Sequence, residues 1–153
     1  MKTLNVLMKS LARMMYLIDT NVISEARKGS KANKGVNDFF KQAIDDQIPL
    51  YISVVTIGEL RRGVDLIRYR GDTRQANRLE KWLNAMLVDY RDFILDINSD
   101  ISQLWGKLRV PHPENALDKL IAATALIYDL TVVTRNHKDF SPTGVRLINP
   151  FMN

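Results

Sequence analysis

A parallel α/β sandwich is the fold class this sequence predicts, and three observations predict it. Short apolar segments rich in β-branched residues recur along the chain, and amphipathic helical stretches separate them. The 153 residues, 46% of them hydrophobic, suffice for one real core and no second domain. Alternation of this kind gives a sheet covered by helices, with ligands bound beyond the carboxyl ends of its strands.

Residues 16–18, 50–55, 93–97 and 131–134 read as buried strands, with a weaker fifth at 145–148. Between them, Val36, Phe39, Phe40, Ala43 and Ile44 recur at helical spacing. So do Leu79, Trp82, Leu83, Met86 and Leu87, followed by Ile101, Leu104, Trp105 and Leu108. Core packing is the ordinary reading of such stripes. Residues 29–35 and 70–74 read as loops, and no internal repeat or low-complexity tract is present.

The opening MKTLNVLMKSLARM imitates a signal peptide, but Lys9 and Arg13 interrupt its apolar run and no small-residue cleavage site follows. Residues 1–13 are therefore expected to be an extension or a misassigned start, with the domain occupying 14–153. No segment approaches the roughly 20 apolar residues of a membrane span. The expectation is a cytoplasmic protein with no membrane partner. Without cysteine, disulfides and thiolate metal sites are excluded, and His112 and His137 are too few for a histidine-rich zinc site. Any metal must be held mainly by oxygen. A net charge of +5 favours a polyanionic partner, although an acidic protein or a membrane surface would suit it too.

Three acids stand where apolar segments meet helices: Asp19 in LIDTNVIS, Glu59 in SVVTIGELRRG and Asp118 in ALDKLIAATAL. Each has a plain structural explanation. Asp19 can close a turn or cap a helix, Glu59 stands at capping-box spacing from Thr56, and Asp118 stands three residues after Asn115 near a helix start. Capping does not require the three to meet. Yet Asp19 and Glu59 each follow a predicted strand, and Asp118 opens the helix before the 131–134 strand, so all three can converge at one end of the sheet. Such a group would form an oxygen cage for a hard ion, Mg²⁺ or Mn²⁺, and metal-assisted phosphodiester hydrolysis is its natural chemistry.

The series LIDTNVIS, VVTIGELRRG, ENALDKLIAATAL, VVTRNHKDF and GVRLINPF resembles the PIN-domain ribonucleases, specifically the VapC-type toxins of type II toxin–antitoxin systems. The likeness runs in order from about Met14 to the C-terminus. It implies a three-layer α/β/α sandwich with a central, mainly parallel sheet, Mg²⁺ or Mn²⁺ dependence and endonucleolytic cleavage of RNA. It also implies a homodimer held inactive by a small antitoxin. By this resemblance Asp19, Glu59 and Asp118 match the first three acids of the site and serve as both catalytic residues and metal ligands, and Asn21 matches a supporting polar residue.

One position departs from the pattern. Many members carry a fourth acid directly after the Thr-Arg pair, where this chain has Asn136. A neutral amide attracts a second cation less, and Asp139 offers a substitute that reads equally as a turn residue. One firmly held ion is the safer expectation. Glu59 would then orient or deprotonate the attacking water beside an ion held by Asp19 and Asp118. The basic stretches Arg27 to Lys34 and Arg61 to Arg78 would offset repulsion of the RNA, or are simply a solvated surface. The alternatives are a weakly catalytic PIN-fold regulator, a small-ester phosphatase and an interaction module whose acids only cap helices. Asp19→Asn and Asp118→Ala are both expected to leave the fold intact, with metal-free stability unchanged or raised.

Overall fold

The computed structural model describes residues 15–153. Its chain runs β1 (Tyr16–Ile18), α1 (Thr20–Ala26), α2 (Lys34–Asp45), β2 (Leu50–Ser53), α3 (Val54–Tyr69), α4 (Thr73–Asp89) and β3 (Ile94–Leu95). It continues through α5 (Ser99–Leu108), α6 (Ala116–Tyr128), β4 (Thr131–Val133), α7 (His137–Phe140) and β5 (Leu147–Ile148). All five expected strands are present, but most are shorter than the apolar runs that announced them. The cause is clearest at residues 50–55. Ser53 caps the next helix by accepting a hydrogen bond from Val55 N at 3.1 Å, so Val54 and Val55 turn helical despite their β propensity. The two expected loops are likewise trimmed by helices that begin at Lys34 and Thr73, capped by Asn33 and Asp72. The expectation for residues 1–13 lies outside the described residues.

The strands form one parallel sheet in the order β3-β2-β1-β4-β5. β1 is central, pairing Tyr16 with Leu50 on one side and Ile18 with Val133 on the other. Neighbouring side chains on a strand face opposite ways, and the core divides accordingly. Ile18, Ile52 and Val133 pack with Val22, Val36, Leu60, Leu83 and Met86 on one face. Leu17 and Val132 pack with Ile121, Ala122, Ala125 and Phe140 on the other. Three layers result, α/β/α. Leu83, Met86 and Ile101 are buried within the chain, whereas Ile44, expected on an apolar stripe, is 70% exposed at the end of α2.

Two details fix the surroundings of the site. The last residues cross the start of α2, where Asn33 Nδ2 donates to the Met152 carbonyl at 2.6 Å and Met152 N donates back to Asn33 Oδ1 at 3.0 Å. Gly35 permits this crossing, since a Cβ there would lie 2.1 Å from the Pro150 carbonyl oxygen. On the opposite face, the buried Lys119 ammonium donates to the His112 carbonyl and ties the loop before α6 to that helix.

Candidate active site

Counting outward from the sheet order, the chain leaves β1 first for β2 and β3 and later for β4 and β5, so the strand order reverses between β1 and β4. Ligands of open parallel sheets bind at such a switch point. Asp19 is the residue directly after β1 and Thr134 the one directly after β4, and the Ile18 to Val133 register sets them side by side.

Asp19 is only 4% exposed, and its carboxylate accepts three hydrogen bonds. Thr20 N donates to Oδ1 at 2.8 Å; Thr134 Oγ1 at 2.7 Å and Asn21 Nδ2 at 3.1 Å donate to Oδ2. Asp19 therefore caps α1 and belongs to a wider network at once. Burial raises its pKa, against the lowering effect of these donors. The network continues as Asn136 N donates to Thr134 Oγ1 at 2.9 Å and Arg135 N to Asn21 Oδ1 at 3.1 Å.

Glu59, in the second turn of α3, accepts from Thr20 Oγ1 at 2.9 Å. The capping-box reading of Thr56 and Glu59 fails, because α3 starts earlier at its Ser53 cap and Thr56 sits buried inside it. Burial raises the Glu59 pKa and the Asp19 charge adds to this. Glu59 also lines a groove of about 170 Å³ together with Thr20, Arg27 and Trp82.

Asp118 occupies the first turn of α6 and accepts from Asn136 Nδ2 at 2.9 Å. Asn115, at the helix start, adopts a left-handed backbone with φ 56° and makes no side-chain cap, so capping does not account for the pair. The Asp118 carboxyl is pushed up to about 6, by burial first and then by the charges of Asp19, Asp139 and Glu59. Asp139 is half-buried on α7 and acts on Asp118 through charge.

The six residues singled out in the sequence thus meet at one end of the sheet, in a region of mutual carboxylate repulsion. Hard anionic oxygens that repel one another suit a hard divalent cation. Among the described residues, however, no three acidic or histidine side chains are already disposed as a cage for an ion. Asp19 is turned toward its three donors, Glu59 toward Thr20 and Asp118 toward Asn136. Sequence reasoning missed Thr134 and Thr20, whose hydroxyls connect the acids. Thr134 ended a β-branched run and read as a strand former. Its available signal was its place after the last strand residue, the same place Asp19 holds after β1.

Residues 16–144 match the PIN domain family. The chain is 35% identical over 142 residues to the plasmid stability protein StbB of Pseudomonas syringae, covering 90% of this chain and 99% of that protein. Against the VapC ribonuclease Y4jK of Sinorhizobium fredii it is 31% identical over 140 residues, covering 90% and 98%. The crystal structure of FitAcB from Neisseria gonorrhoeae superposes with a TM-score of 0.76 at 32% identity, covering 89% of this chain and 98% of that one. The sheet order, the acids at its switch point and these relatives agree: the chain belongs to the PIN-domain family, in its VapC-type branch.

Proposed function

We propose that this protein is a Mg²⁺- or Mn²⁺-dependent endoribonuclease that acts in the cytoplasm as the toxin of a toxin–antitoxin pair. The observation that carries this reading is the convergence of Asp19, Glu59, Asp118 and Asp139, where burial first and then the charges of the other three push the Asp118 carboxyl up to about 6. A divalent cation would be held by Asp19, Glu59 and Asp118, and when bound it supplies the Lewis acidity that polarises a phosphate and acidifies a water. Asp19 stays in register with the other acids through Thr134, Asn21 and Thr20 N. Asn136, the residue directly before α7, fixes the Asp118 carboxylate. Glu59, the acid that shares a groove with the exposed Arg27, is placed to orient the attacking water or take its proton.

The partner is a small antitoxin whose apolar segment is received by a groove of about 230 Å³ lined by Ile23, Phe40, Trp82, Met86 and Tyr90, with Arg27 at its edge. A cation from the same partner would satisfy the carboxylates in place of the metal. A homodimer is the assembly proposed for the toxin itself. Leu79, Leu83 and Leu87 pack into the chain's own core and Ile101 is buried, whereas Leu104, Trp105 and Leu108 are partly exposed and remain available to a dimer surface.

The test incubates purified protein with RNA in EDTA and after return of Mg²⁺, Mn²⁺ or Ca²⁺, beside Asp19→Asn. Cleavage restored by Mg²⁺ or Mn²⁺, poorly by Ca²⁺, and absent from the variant supports the nuclease. Ca²⁺ prefers longer bonds and more ligands, so it fills the site without aligning the water. Equal cleavage in EDTA rejects it. Mass measurement with and without the product of the adjacent small gene tests the assembly, and an active monomer indifferent to that product rejects the toxin–antitoxin part alone.

A further inference from the structure

A nest of carboxylates repels the polyanion it would cut, so cations must hold the strand beside it. Arg135 stands in the one-residue gap between Thr134, bonded to Asp19, and Asn136, bonded to Asp118. Its backbone N–H is fixed on Asn21 Oδ1. Its exposed guanidinium lies 4.6 Å from the centroid of the Phe151 ring. Among the described residues the ion pairs engage Lys28, Lys34, Arg61, Arg68, His112 and Arg146, so Arg135 retains its donors. Glu25, whose charge reaches Arg135, already accepts from Lys28 Nζ and Asn33 N.

Phe151 is itself a built platform. Its N–H donates to Asn149 Oδ1 at 3.1 Å, and the next residue exchanges two hydrogen bonds with Asn33. Stacking on a fixed ring holds the planar guanidinium while leaving its N–H edge open, the geometry that grips a phosphate through two parallel hydrogen bonds.

Resting on the nuclease reading, we propose that Arg135 binds an RNA phosphate flanking the scissile one, and that Phe151 is the positioning residue that presents it. The salt dependence of binding reads this directly, since each phosphate neutralised on a single strand contributes about 0.7 to the slope of log K against log salt. Binding of a fluorescein-labelled single-stranded RNA oligonucleotide is measured by anisotropy across NaCl concentrations, in an Asp118→Asn parent that does not cut. Adding Arg135→Ala lowers the slope by about 0.7 and weakens binding at every salt concentration. Arg135→Lys restores the slope but not the full affinity, because the ammonium keeps the charge without the fork. Phe151→Leu keeps the slope and loses affinity, a split that general loosening of the fold does not produce. Lys41→Ala, on the exposed side of α2, removes the same charge and changes nothing. An unchanged slope in Arg135→Ala, an equal loss in Lys41→Ala, or no RNA binding by the parent overturns the proposal. Wild-type cleavage in Mg²⁺ judges the nuclease reading separately, so cleavage together with an unchanged Arg135→Ala slope removes only the role of Arg135.

Discussion

The two walls of the site hold their carboxylates by different means. On the β1 and β4 wall, Asp19 is almost fully enclosed, and a main-chain N–H, an amide and a hydroxyl all donate to it. On the α6 and α7 wall, Asp118 is half-exposed, has Asn136 as its side-chain donor and faces the charges of three other acids. Donors that the fold provides offset part of the burial cost of the first charge, whose pKa is still raised. On the proposed reading the second would be stabilised by a cation from outside, which would make Asp118 the carboxylate that couples metal binding to stability.

The largest expected effect ignores this contrast. Asp19→Asn or Asp118→Ala should lower cleavage on the order of 10³-fold or more, because each removes an anion from the proposed ion site. Quantified RNA cleavage by the purified variants checks it, and full activity in both would remove the site assignment. The next effect belongs to the first wall alone. Thr134→Val deletes the hydroxyl between Asp19 and Asn136, so cleavage should fall about 10- to 100-fold. Leaving the Asp19 carboxylate and the Asn136 N–H without their shared partner should also cost about 1–3 kcal/mol, read by chemical unfolding.

A third measurement separates the walls most sharply. The folded protein binds the Asp118 proton more tightly than the ordinary carboxyl value of 3.8, up to about 6. This group therefore makes stability fall as pH rises from about 4 to about 6, with no further change above that window. Asp118→Asn should remove that slope and gain about 1 kcal/mol above pH 6 in EDTA, after allowance for solvent screening, and nothing below pH 4. Asp19→Asn should show no such gain, because its new amide would meet the donors of Asn21 and Thr134. The sequence-based expectation, metal-free stability unchanged or raised on replacing either acid, is thereby divided between the two walls, and equal gains in thermal unfolding would break the comparison. The smallest effect is Asn136→Asp, which exchanges a donor to Asp118 for a fourth charge. Its metal-free stability should drop by about 1 kcal/mol, while the rise in melting temperature on adding Mg²⁺ should exceed that of the wild type.

The three acids were legible because each interrupts an apolar pattern at a strand or helix boundary, and the whole of β1 was legible from its three residues. What escaped the sequence was anything that depended on which strands become neighbours. Thr134 supports Asp19 only because β4 lies beside β1, a pairing that no local signal carries. Gly35 likewise reads as part of a loop until the Pro150 carbonyl is found against it. Capping chemistry failed in the other direction: Thr56 and Glu59 had the right spacing, yet Ser53 had already started the helix.

The long reach between Asp19 and Thr134 also sets a timetable. The bond joins residues 115 positions apart. At roughly 5–20 residues per second, a ribosome takes on the order of 10 s to pass from one to the other. Until the end of that interval Asp19 exists without the completed β4 and the Thr134 hydroxyl that finish its surroundings. The support of Asp19 thus cannot be completed before Thr134 has been made, and a nascent chain that stops short of β4 lacks the finished acid cluster.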